Sequence, residues 1–157
     1  MKSILFVCMG NICRSPVAAE VARTEFARAG AAMTIASAAT ESYHIGDAAD
    51  ARAIASAKAQ GYDLTGHRAR QVAADDFARF DAILAMDRTN LRALAMRCPR
   101  EHASRLALFL PFAGLGTPEE VPDPYYGNAE DFERVIELAL RAARGLLTRC
   151  GMAHNAA

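Results

Sequence analysis

Cys8 and Arg14 stand six positions apart in the segment Val7-Cys8-Met9-Gly10-Asn11-Ile12-Cys13-Arg14-Ser15-Pro16. The apolar run Ile4-Leu5-Phe6-Val7 leads straight into the cysteine, and helix-forming residues, Val17-Ala18-Ala19-Glu20-Val21-Ala22, follow the proline. A nucleophile at the end of a buried strand, then a tight loop, then an arginine at a helix start is a device for attacking a phosphoryl group. A phosphate dianion repels nucleophiles, so its charge must be neutralised first. Five intervening residues let one loop curl around the anion, with backbone N–H groups and the helix N-terminus supplying partial positive charge. Arg14 offers two parallel donors to two phosphoryl oxygens. The same donors favour a thiolate at Cys8, which is a competent covalent nucleophile.

The other loop residues have assignable parts. Gly10 is expected where the curl needs positive φ, and Asn11 tolerates a left-handed backbone while its side chain braces the loop. Ser15 fits an N-cap and Pro16 the first helical position. No capping box forms at Ser15, because Ala18 stands three residues on; its hydroxyl is free to bond the sulfur. Met9 and Ile12 read as apolar walls. Cys13 is either loop packing or a redox partner of Cys8, since a lone pair of cysteines at this spacing is not a zinc motif. Hydrolysis also needs a group that protonates the leaving oxygen and later activates water. Asp123, bracketed by Pro122 and Pro124, is the candidate, although Asp-Pro is also a common turn starter.

Alternating elements must position these groups. Strands are expected over 3–7, 33–37, 81–86 and 105–109. Helices are expected over 16–29, 48–60, 73–79, 88–97 and 131–149, with the last strongly amphipathic through Phe132, Val135, Ile136, Ala139, Leu140 and Ala143. Residues 110–128, with four prolines and three glycines, read as a long loop, a length that is usually functional. The order implies a parallel sheet with helices on both faces and a ligand site beyond the strand carboxyl ends, where chain order reverses.

The phosphate-loop segment resembles that of the low-molecular-weight protein tyrosine phosphatases. The resemblance recurs at Thr65-Gly66-His67-Arg68-Ala69-Arg70-Gln71, at Ile83-Leu84-Ala85-Met86-Asp87-Arg88-Thr89-Asn90-Leu91 and at Val121-Pro122-Asp123-Pro124-Tyr125-Tyr126-Gly127. These segments keep the family's order from residue 7 to 127, so the resemblance covers essentially the whole chain. It implies a four-stranded, parallel, doubly wound α/β sheet and a metal-independent phosphatase that needs no cofactor. It implies that Cys8 forms a phosphocysteine, that Arg14 holds the phosphoryl oxygens and that Asp123 is the acid. It makes His67 a buried brace orienting Asn11 and Ser15, against its plain reading as a surface histidine. Asp87 either holds Arg14 or caps the helix that follows, and the resemblance favours support of the site. At least one of Tyr125 and Tyr126 is expected to wall the pocket and stack on an aryl phosphate, and Tyr43 is expected to line its rim, where many relatives carry tryptophan near that position. His44, His102 and His154 form no metal-like group and are assigned no chemistry.

Composition agrees with a small enzyme. The 157 residues, 52% of them hydrophobic, suit one domain over 1–152 with a short tail at 153–157. Zero net charge, from 18 basic and 18 acidic residues, argues against a nucleic-acid partner. No apolar stretch approaches membrane-spanning length, no leader opens the chain, and four cysteines without one fit a reducing cytoplasm. The expected partner is a phosphotyrosine protein, with a bacterial tyrosine kinase as an instance, and the expected state is a monomer. One rival is a thiol arsenate reductase of the same fold, which needs closely placed resolving cysteines; Cys98 and Cys150 are single and far apart in sequence. The other is an idle phosphate-binding module, which would lack Cys8, Arg14 or Asp123.

Overall fold

The structure is a computed structural model and describes residues 1–152; the tail expected over 153–157, with His154, lies outside the described residues. Strands β1 (Ser3–Cys8), β2 (Thr34–Ala39), β3 (Ala82–Ala85) and β4 (Leu106–Leu108) form one parallel sheet in the order β2-β1-β3-β4. β1 is flanked on both edges, and Ile4 to Val7 are fully buried. The pleat sends Ile4, Phe6 and Cys8 into one core and Leu5 and Val7 into the other. That is why β1 reads as an unbroken apolar run rather than an alternating one.

Helices cover both faces, as the sequence leads one to expect. The first core takes Val17 and Phe26 of α1 (Arg14–Arg28), Ala53 of α2 (Ala51–Ala59) and Phe132 and Ile136 of α6 (Ala129–Arg149). The second takes Phe77 of α3 (Asp76–Arg79) and Leu94 of α4 (Arg88–Arg97). The chain leaves β1 toward β2 on one side and returns to β3 on the other, so the carboxyl end of β1 is the point where chain order reverses.

Several boundaries shift for local reasons. α1 begins at Arg14 with Cys13 as its N-cap, not Ser15; Pro16 then falls in the first turn, where its missing N–H costs nothing. α2 begins at Ala51 because the Asp50 carboxylate accepts the Arg52 N–H at 2.8 Å. α3 is shorter than 73–79, since Asp76 instead accepts the Ala73 N–H at 2.8 Å. A 3-10 helix over Arg100–Arg105 precedes β4, and α5 (Phe109–Phe112) opens the stretch expected to be loop. α6 starts two residues early because Asn128 and Asp131 form a capping box.

Gly145 sits where α6 meets the end of α5. A Cβ built there would stand 2.0 Å from the Ala113 carbonyl oxygen, and backbone cannot yield as a side-chain tip does. Gly145→Ala would gain about 1 kcal/mol of helix propensity but meets an overpacking cost that outweighs it. The variant is expected to lose about 2 kcal/mol net, seen as a Tm lower by roughly 4–8 °C in a thermal melt.

Candidate active site

Cys8 ends β1 and is buried, and the loop after it is organised by Asn11. Asn11 adopts φ 58°, the only non-glycine positive φ among the described residues, and its side chain is wholly buried. Its Nδ2 donates to Ser15 Oγ at 2.8 Å and Ser37 Oγ at 2.9 Å, and its Oδ1 accepts the Arg70 N–H at 3.1 Å. Its own N–H points at Cys8 Sγ, 3.3 Å away. Ser15 Oγ also lies 2.9 Å from Cys8 Sγ, so the serine freed from capping does bond the sulfur.

Gly10 corrects the sequence reading. The left-handed residue is Asn11, and Gly10 does not share that backbone. A Cβ on Gly10 would stand 3.0 Å from His44 Cδ2, so glycine serves close approach to that ring.

His67 braces the loop from behind. Its Nε2 lies 2.7 Å from the Asn11 carbonyl oxygen; the carbonyl can only accept, so Nε2 carries the proton. The brace reaches Ser15 through Asn11 rather than directly. Burial pushes the His67 pKa down, against the Asn11 carbonyl, which favours the protonated ring; nearby Arg23 and Arg68 also push it down. Cys13 packs in the core beside the loop. Burial first, and then the charges of Asp50, Cys8 and Asp123, push its thiol up to about 12.

Arg14 is almost fully buried at the start of α1. Its Nη1 donates to Asp87 Oδ2 at 2.6 Å and to the Val121 carbonyl at 3.1 Å, and its Nη2 lies 3.8 Å from Asp123 Oδ2. Burial alone would lower the Arg14 pKa, but Cys8, Asp87 and Asp123 raise it net. Asp87 does both things proposed for it, because its Oδ1 also accepts the Asn90 N–H at 2.8 Å and caps α4. The Asp123 carboxylate accepts the Tyr125 N–H at 3.1 Å in the turn that projects it.

These groups surround one cavity of about 300 Å³, lined by Cys8, Met9, Gly10, Ile12, Cys13, Arg14, Tyr43, His44, Asp123, Tyr125 and Tyr126. Met9, Ile12 and all three tyrosines are among the residues that line it. His44 is a lining residue that the sequence reading passed over; its Nδ1 lies 3.1 Å from Asp47. Its neighbour Tyr43 carried the same positional signal. Ser37, at the other end of the Asn11 side chain, and the Val121 carbonyl, which holds Arg14, had no signal of type or spacing. Arg52 was also missed. Its guanidinium sits over the rings of Tyr125 at 5.4 Å and Phe132 at 4.7 Å, fixing one cavity wall to α6.

A thiol, a buried guanidinium and a half-exposed carboxylate around a helix N-terminus define a site for phosphate esters. The comparisons agree. Residues 3–155 match the family described as low molecular weight phosphotyrosine protein phosphatase. The chain is 42% identical over 149 residues to the low molecular weight protein-tyrosine-phosphatase of Streptomyces coelicolor, covering 92% of this chain and 90% of that one. A crystal structure of a protein tyrosine phosphatase from Entamoeba histolytica superposes with TM-score 0.91 at 37% identity, covering 96% of this chain and 97% of that chain. Vibrio vulnificus Wzb, solved with benzylphosphonate, superposes with TM-score 0.83 at 32% identity, covering 94% and 98%. The protein belongs to the low molecular weight phosphotyrosine protein phosphatase family, a family of hydrolases.

Two outcomes follow from the half-buried His67 and the buried Cys13. In the unfolded chain a histidine titrates near 6.5, the ordinary value from which His67 is lowered. The unfolded chain therefore takes up its proton first, so His67 contributes full stability above that value and loses it as pH falls toward the folded pKa. The decline in Tm between pH 7 and pH 5 is expected to be shallower in His67→Gln than in the parent protein. For Cys13, a thiol raised to about 12 holds almost no thiolate at neutral pH. Mass spectrometry after iodoacetate at neutral pH should find Cys13 unmodified in the folded protein.

Proposed function

We propose that the protein hydrolyses phosphotyrosine on protein substrates through a phosphocysteine intermediate. The observation that carries this is the placement of Cys8 and Asp123 on the same cavity, with Arg14 between them. The Cys8 thiolate attacks phosphorus, and the S–P bond forms as the P–O bond to tyrosine breaks. The Asp123 carboxyl gives its proton to the departing phenoxide. Arg14 and the first N–H groups of α1, which have no intrahelical acceptors, hold the equatorial oxygens as charge redistributes. Asp87 and the Val121 carbonyl both take Nη1 of Arg14, which fixes the guanidinium before substrate arrives. A water then attacks phosphorus and gives its proton to the Asp123 carboxylate. The S–P bond breaks, and inorganic phosphate leaves. Ser15 Oγ, 2.9 Å from the sulfur, donates to the thiolate as it departs.

Substrate class follows from the walls. Tyr43, Tyr125 and Tyr126 at the cavity edge offer flat apolar faces to an aryl ring. The benzylphosphonate held by Vibrio vulnificus Wzb is an aromatic ring joined through a methylene to a phosphorus anion. A tyrosine kinase bearing phosphotyrosine is a substrate of suitable chemistry.

The test is hydrolysis of an aryl phosphate at mildly acidic pH with EDTA present. Wild type should turn over, and Cys8→Ser should be inactive. Asp123→Ala should lose about 100- to 10,000-fold, the usual share of a general acid. Full activity in Asp123→Ala would assign the acid elsewhere, and an inactive, fully reduced wild type would sink the reading.

A further inference from the structure

The segment leading to Asp123 is tied to the start of α4. The Arg88 N–H donates to Glu120 Oε2 at 2.7 Å. The Arg88 guanidinium is hydrogen-bonded to Glu119 and lies 3.9 Å from Glu120 Oε1. One residue on, the Val121 N–H donates to the Met86 carbonyl at 2.8 Å. Residues 119–121 are thus fastened to residues 86–88, and Asp123 is the next residue after Pro122. Asp123 approaches Arg14 at 3.8 Å.

Charge makes this fastening consequential. Asp87, Glu119, Glu120 and Asp123 line one open cavity of about 650 Å³ beside the site, with Arg14, Arg88 and Arg134. Arg14 is committed to Asp87 and the phosphate loop, and Arg134 bonds Glu137 at 3.0 Å. Arg88 is the cation held against both glutamates. Without its guanidinium, Glu119 and Glu120 face the negative charges of Asp87 and Asp123, and the loop is left to its backbone bonds with residues 86–88.

We infer that Arg88 is a positioning residue: by clasping Glu119 and Glu120 it holds the loop where the Asp123 carboxyl reaches the oxygen leaving Cys8-bound phosphorus. This rests on the acid role given to Asp123 above. Arg88 and both glutamates are exposed, and exposed pairs add little to global stability. The signature therefore lies in proton transfer and not in melting.

The test compares kcat/KM for 4-nitrophenyl phosphate, whose leaving group departs without a proton, and phenyl phosphate, whose leaving group needs one. A small misplacement of a catalytic group is costly, so Arg88→Ala should lose about tenfold on phenyl phosphate and less than about twofold on 4-nitrophenyl phosphate. Arg88→Lys should recover most of the loss. Glu119→Gln, which opens the clasp from the other side, should repeat the pattern and serves if Arg88→Ala folds poorly. Arg88→Ala added to Asp123→Ala should cost nothing further. Equal losses on both substrates, no loss on phenyl phosphate, or an additive loss in the double variant would overturn the inference. If Asp123→Ala itself shows no dependence on leaving group, the acid assignment fails and takes the clasp with it. If Asp123→Ala shows that dependence and Arg88→Ala does not, the clasp alone fails.

Discussion

A left-handed asparagine with no exposed surface is the constraint on which the site rests. Asn11 at φ 58° costs backbone strain of order 1 kcal/mol or more. A buried amide left without partners would cost about 1–3 kcal/mol for each group. Both penalties are met by four partners from three separate places: Ser15 of α1, Ser37 of β2, and the Arg70 N–H and His67 ring of the segment after α2. Each partner is held by its own element, so the loop conformation is over-determined by the fold. What that conformation delivers is local. It turns the Asn11 N–H toward the Cys8 sulfur and brings Ser15 Oγ to the same atom.

The sheet order supplies the other half. β1 and β3 are neighbours, so residues just past their ends lie side by side although Cys8 and Asp87 are far apart in sequence. Asp87 reaches Arg14 across that short gap and caps α4 with its second oxygen. Burying a guanidinium is costly unless it is paired and hydrogen-bonded. Asp87 and the Val121 carbonyl meet that requirement, and in doing so they tie the phosphate loop to the segment that carries Asp123.

Much of this was legible in the sequence, for identifiable reasons. The strand-loop-helix around Cys8 concentrates its chemistry in ten consecutive residues, and side-chain types alone indicate a phosphate site. The apolar run of β1 and the stripe along α6 reflect burial directly, so fold class and helix faces followed. The parts that did not follow depend on contacts between distant residues. Gly10 looked like a turn glycine because nothing in sequence places His44 against it. Ser37 is one more small residue in an alanine-rich strand, and the Val121 anchor is a carbonyl that every residue type possesses. Helix starts at α2 and α6 moved by three and two residues because single carboxylates and amides decide them: Asp50 at α2 and Asn128 with Asp131 at α6.

The two sides of the cavity are built to different standards. The floor under Cys8 is buried, and its polar atoms bond partners on several elements. The arm bearing Asp123 hangs from the buried Val121 and is otherwise held by exposed ion pairs, a cation over two rings and two prolines. Exposed pairs are typically worth about 0–1 kcal/mol, so this arm adds little to the stability of the whole. Rate responds differently, since about 1.4 kcal/mol in a barrier is tenfold in turnover. A nucleophile must sit in one place through bond making and bond breaking, which suits a floor that cannot shift without unfolding. In the mechanism proposed above, the acid first meets a leaving group and later a water, and so needs access to solvent between steps. Exposed fastenings give that access while keeping the carboxyl within reach, which matches the two partners that the proposed cycle assigns to Asp123.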